Sequence, residues 1–140
     1  AQGRLYEVDL RLRPDGGSGL PCVTLGSFQK YQQESAWTWE HQALVRARPV
    51  GGSADLCQKL EALRLKVVCQ SRPNHELRDA VVTMRMRMFE GAESRLDAAP
   101  DEFDIKRDPG GIVDIEFVVQ FLVLRHAVNH PVKTTRIRAG

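Results

Sequence analysis

The sequence predicts an α+β protein that is mostly helical, with a small sheet and its covering helix first and a helical bundle after it. Residues 6–13 alternate apolar and charged side chains, and a period of two marks a strand with one face against a core. Beyond residue 52, three stretches place their apolar residues at helical spacing, each opened by Ser, Asn or Gly, which predicts packed helices. The composition shift at Gly51-Gly52 sets the expected boundary, giving domains 1–51 and 52–140.

In the strand, Tyr6, Val8, Leu10 and Leu12 take one face and Glu7, Asp9, Arg11 and Arg13 the other. Side chains two apart lie about 6.6 Å from each other, so Asp9 is bracketed by Glu7 and Arg11. Two readings fit: an edge strand showing its charges to water, or the wall of a site. Pro14 stops the ladder, and Asp15-Gly16-Gly17-Ser18-Gly19 forms a turn whose N–H groups can approach an anion or simply reverse the chain.

Leu20 to Leu25 reads as a second short strand with Pro21 at its start. Ser27 then reads as the N-cap of a helix whose formers run from 28 to 48, ended by Pro49 and Gly51-Gly52. Trp37 and Trp39 are expected in the core with His41 as a partly buried neutral group. Arg46 and Arg48 either meet phosphate or balance Asp9, or end a solvated helix.

Ser53 caps the next helix, with Leu56, Leu60, Leu63 and Val67 inward and Gln58, Lys59, Glu61 and Arg64 facing away. Asn74 caps a third, striped by Leu77, Val81, Met84 and Met88, and Gly91 is its expected stop. Met84, Met86 and Met88 read as adaptable core and flank. Residues 91–109 are acidic and irregular, with Phe103 to Lys106 a short extended piece. Gly110-Gly111 opens the last helix, from about Ile112 to Val128, apolar on most sides. Asp114 and Glu116 in its first turns either stabilise the helix start or belong to a site. His126 and His130 read as surface residues, because helix is disfavoured before Pro131.

The 140 residues carry a net charge of +2, which argues against a nucleic-acid partner. Cys22, Cys57 and Cys69 form no CxxC and leave one over, so reduced thiols in the cytoplasm are expected. No apolar run reaches a membrane span. The chain enters a charged strand within a few residues of Ala1, with nothing earlier for that strand to pair with, so a segment of a longer protein is expected.

Three blocks read as strings carry a more specific signal. They are Leu5-Tyr6-Glu7-Val8-Asp9-Leu10-Arg11-Leu12-Arg13-Pro14 with Gly-Ser-Gly-Leu at 17–20, Ala36-Trp37-Thr38-Trp39-Glu40-His41-Gln42-Ala43-Leu44-Val45-Arg46-Ala47-Arg48, and Lys106-Arg107-Asp108-Pro109-Gly110-Gly111-Ile112-Val113-Asp114-Ile115-Glu116-Phe117. In this order they resemble the bacterial glutamine synthetase adenylyltransferases, of the polymerase-β-like nucleotidyltransferase superfamily. The wording looks like the C-terminal, AMP-attaching half. The resemblance covers nearly the whole chain and is weakest at 51–72 and from Val132.

The resemblance implies part of a nucleotidyltransferase mixed sheet ahead of the helical bundle. It implies AMP transfer from ATP to a tyrosine of glutamine synthetase in a bacterial cytoplasm, with Mg²⁺ or Mn²⁺ as cofactor and signal protein PII as a further partner. By carry-over, Asp9 is one of three metal carboxylates, Arg11 and Arg13 either meet the triphosphate or order Asp9, Lys106 meets a phosphate, and Gly17, Ser18 and Gly19 line the nucleotide pocket. Arg46, Asp108, Gly110, Gly111, Asp114 and Glu116 pack the helical domain or line the site. The family's Gly-Ser turn followed by Asp-x-Asp does not occur in these residues, which hold no Asp-x-Asp, so the chain alone is expected to be inactive. The alternatives are the AMP-removing half, a PII uridylyltransferase relative, or a helical interaction module without chemistry.

Overall fold

The computed structural model describes residues 13–93 and 103–131. Among them are the helices α1 (Leu25–Glu34), α2 (Thr38–Arg46), α3 (Ala54–Val68), α4 (Asn74–Glu93) and α5 (Ile112–His126), a 3-10 turn at Gly16–Ser18, and no strand. The alternation at 6–12, and the sheet predicted from it, lie outside the described residues, as do 94–102 and the tail from 132. The chain divides into two compact units, 1–36 and 37–140.

In the first unit the strand expected at Leu20–Leu25 is replaced by a loop and the start of α1. Thr24 takes extended dihedrals as the N-cap, and its Oγ1 accepts the Ser27 N–H at 3.1 Å. Cap chemistry overrides the strand propensity of Val23 and Thr24, and Ser27 lies inside the helix it was expected to cap.

The helix expected across 28–48 is two helices. The Ser35 and Ala36 N–H groups both close on the Tyr31 carbonyl at 2.9 Å, ending α1. A new N-terminus follows at once, where the Glu40 carboxylate accepts the Trp37 N–H at 2.8 Å. Trp37 flanks that start and is 63% exposed rather than in the core, whereas His41, expected partly buried, is buried.

In the second unit α2 packs on α3, α4 and α5, and α4 packs on α5. Val68, Leu77, Val81, Leu124 and Ala127 form the core, with Leu44, Val45, Phe117 and Phe121 against it. Each buried Leu or Val here contributes roughly 1.5–3 kcal/mol.

α3 begins where the sequence places it, with Ser53 Oγ accepting the Leu56 N–H at 3.2 Å. Its apolar stripe is buried only at the C-terminal end, through Leu63 and Val67. Arg64, expected to face away, is buried. Its guanidinium donates to both Glu61 carboxylate oxygens at 2.7 and 2.8 Å and to the Leu44 carbonyl at 3.1 Å. Those bonds offset the cost of burying the charge, and Glu61 holds the Arg64 pKa above its usual value.

Arg72 closes the other end of α3, donating to the carbonyls of Val67, Val68 and Gln70 at 2.6, 3.1 and 3.0 Å. Burial pulls its pKa down to about 10, so the cation that binds these orphan carbonyls persists at neutral pH. α4 begins at Asn74, with the Pro73 carbonyl accepting from Leu77 N at 3.0 Å. Its expected stop, Gly91, lies within the helix.

Candidate functional site: the braced loop before α5

The segment Asp104–Gly111 leads into α5 as a chain of turns, not the extended piece expected at Phe103 to Lys106. Carboxylates at fixed offsets explain this, since Asp side chains bond nearby backbone N–H groups in competition with a ladder. Asp104 accepts the N–H of Lys106 at 2.8 Å and of Arg107 at 3.2 Å. Asp108 accepts the Asp104 N–H at 2.8 Å.

The loop then folds back on the helix it precedes. Ile112 N donates to the Ile105 carbonyl at 2.9 Å and Val113 N to the Lys106 carbonyl at 3.1 Å. These bonds occupy N–H groups that a helix start would otherwise offer to an anion. Gly110 has φ +87°, a conformation that favours glycine. A Cβ at Gly111 would lie 2.6 Å from the Ile105 carbonyl oxygen and 2.9 Å from that of Asp108.

One ion pair ties the loop to both flanking helices. Arg85 of α4 pairs through Nε with Asp114 of α5, and its Nη2 donates to the Arg107 carbonyl at 2.8 Å. The second oxygen of Asp114 accepts the Gly110 N–H at 2.6 Å. That bond, followed by the pairing with Arg85, holds the Asp114 carboxyl below its ordinary value of 3.8. Two residues further on, Glu116 pairs with Arg46 of α2.

What the loop displays is apolar and cationic. Phe103 and Ile105 are exposed, and so is Lys106. Arg107 stands 3.8 Å from Asp104. Lys106 is thus an exposed cation on a backbone held by hydrogen bonds.

The structure therefore brings together Arg46, Lys106, Asp108, Gly110, Gly111, Asp114 and Glu116 around the start of α5. Arg13, Gly17, Ser18 and Gly19 lie in the other unit. There the Arg13 guanidinium donates to the carbonyls of Gly17 at 3.3 Å and Gly19 at 3.2 Å, closing the turn over the exposed Ser18. A Cβ on Gly19 would fall 1.9 Å from the Pro14 carbonyl oxygen, so the turn requires glycine there. Asp9 and Arg11 lie outside the described residues. Among the described residues no group of three His, Cys, Asp or Glu side chains is placed to hold a metal ion. Asp104, Asp108 and Asp114 are engaged by N–H donors instead.

The residue that sequence reasoning missed is Arg85. Its signal was present, because Arg85 follows Leu77 and Val81 at i+8 and i+4 on the buried side of α4. A cation on an apolar stripe needs a buried anion. Gln42 and Gln120 were missed too; both are buried, and Gln42 Nε2 donates to Gln120 Oε1 at 3.3 Å between α2 and α5.

A family model described as glutamate-ammonia ligase adenylyltransferase matches residues 1–63. The chain is 52% identical over 129 residues to a bifunctional glutamine synthetase adenylyltransferase/adenylyl-removing enzyme of Thioalkalivibrio sulfidiphilus. Enzymes with the same description from Acinetobacter baylyi and Hahella chejuensis are 48% identical over 130 residues and 47% identical over 133. These matches cover 92–94% of this chain and 13–14% of the relatives.

Proposed function

We propose, from the premise that this chain is a relative of the glutamine synthetase adenylyltransferases through nine-tenths of its length, that it works as part of an enzyme moving AMP from ATP to a tyrosine of glutamine synthetase. The observation that carries the reading is 52% identity sustained over 129 residues. The chain spans about 13% of the length of that relative, so the reaction is assigned to the longer protein that bears such a segment.

Transfer of a nucleotidyl group draws mainly on positioning and charge stabilisation. In this reading Asp9 is a carboxylate ligand beside the attacking hydroxyl, and Arg11 orders it. Asp9 would be among the carboxylates holding a divalent ion, Mg²⁺ or Mn²⁺, which would supply charge stabilisation to the transferred group. Arg13 with Gly17, Ser18 and Gly19 shapes the turn that lines the nucleotide. Lys106, an exposed cation on the braced loop, meets a phosphate.

The test is AMP transfer from labelled ATP to glutamine synthetase by a full-length enzyme carrying this segment, compared with its Asp9→Asn variant. Loss of about a hundredfold or more in kcat with the fold retained is expected for a metal carboxylate. Equal activity of the two proteins would sink the assignment. The relatives' names include adenylyl removal, so phosphorolytic removal of AMP is the second reading. It is favoured if this segment's variants act on the phosphate-dependent removal reaction and leave ATP-dependent attachment intact.

A further inference from the structure

We propose that Arg85 is a positioning residue that sets the conformation of the loop presenting Lys106. This rests on the reading above that Lys106 meets a phosphate of the nucleotide. The Arg85 side chain is 16% exposed and belongs to α4, where its guanidinium lies 5.9 Å from the centre of the Phe89 ring, yet its polar contacts are to two other pieces of chain. It pairs with Asp114 in the first turn of α5 and donates to the Arg107 carbonyl, one residue from Lys106.

Asp114 extends the same contact to the Gly110 N–H. One guanidinium and one carboxylate thus fix the loop at Arg107 and at Gly110, while the Ile105 and Lys106 carbonyls are held by the start of α5. Lys106 is consequently anchored through its backbone N–H, through its carbonyl and through the next residue's carbonyl. Only its side chain remains to move.

A lysine is a point charge on a flexible stem, so where its backbone is held decides which phosphate it reaches. Removing the Arg85 fork releases the Arg107 carbonyl and leaves Asp114 with the Gly110 contact alone. Lys at position 85 would keep a charge opposite Asp114 without the planar fork that serves both acceptors.

The experiment is a double-mutant cycle in a full-length enzyme that carries this segment, with Arg85→Gln, Lys106→Ala and both together. The readouts are KM for ATP, kcat for AMP transfer, and hydrogen exchange at the Gly110 and Ile112 amides. The expected result is a rise in KM for ATP of about tenfold in each single variant, kcat within about twofold, and a double variant no worse than either single one. The two amides should lose protection in Arg85→Gln and keep it in Lys106→Ala. Additive effects on KM, or unchanged protection in Arg85→Gln, would overturn the proposal. If Lys106→Ala leaves KM for ATP unchanged, the nucleotide role of Lys106 fails by itself. Exchange then decides whether Arg85 holds the loop: deprotection supports the brace and full protection refutes it.

Discussion

A single added methyl group separates glycines with a structural role from those without one. At Gly111 a Cβ would press on the carbonyls of Ile105 and Asp108, which themselves accept the Ile112 and Gly111 N–H groups. Gly111→Ala is therefore expected to lower stability by about 2–4 kcal/mol, measured by urea unfolding. Gly91 sits inside α4, where a Cβ meets nothing within 4 Å, and Gly91→Ala should raise stability by about 0.5–1 kcal/mol. Asp114 supplies a pH signature. Its folded pKa lies below the ordinary 3.8, so its contribution is present above the unfolded value and is lost as pH falls through the folded one. Asp114→Asn should be less stable than the parent at pH 7, and the difference should shrink below about pH 3.8 in thermal melts across pH 2–7. A gap that stays constant into acid would show that the carboxylate charge has no such role.

Element by element, the sequence made legible what depends on strong local chemistry. Ser53 before Ala54, the apolar stripes of α3 and α4, and Gly110-Gly111 before α5 are local signals, and the helices begin where those residues stand. The break between α1 and α2 was less legible, because good helix formers run across it and the decision falls to Glu40 accepting the Trp37 N–H. Arg64 and Arg85 were misread or missed for a related reason: pattern analysis assigns cations to solvent, whereas the Leu44 carbonyl and Asp114, on other helices, take the charge of these two. The recognition block from Lys106 to Phe117 was readable as a string, but its bracing from α4 depends on a contact 29 residues apart in sequence. This gives a test on α3. Arg64→Met should cost about 1–3 kcal/mol, since the Leu44 carbonyl and Glu61 lose their donor. Lys59→Met, which breaks the exposed pair with Asp55, should change stability by less than about 0.5 kcal/mol. Similar losses in urea unfolding would mean that the burial of Arg64 has no energetic consequence.

Over the second unit, α5 is unusual in being apolar on opposite sides. Val113, Phe117, Gln120 and Leu124 lie on the side that carries the core contacts. Ile115, two positions from Val113, points about 200° round the helix, and Val118 and Leu122 follow it. These three are 61%, 57% and 44% exposed. Apolar area turned to water adds nothing to stability, whereas Leu124 at 1% exposure fills space that neighbours cannot easily close. Leu124→Ala should therefore cost about 2–5 kcal/mol, and the paired change Ile115→Lys with Leu122→Lys less than about 1 kcal/mol. The outward pair should instead lower the fluorescence of a dye that binds exposed apolar surface, because it breaks a contiguous stripe. If the outward lysines destabilise the chain as much as Leu124→Ala does, that side of α5 takes part in the core. If they leave the unfolding midpoint in place and reduce dye binding, α5 carries one core face and one open face.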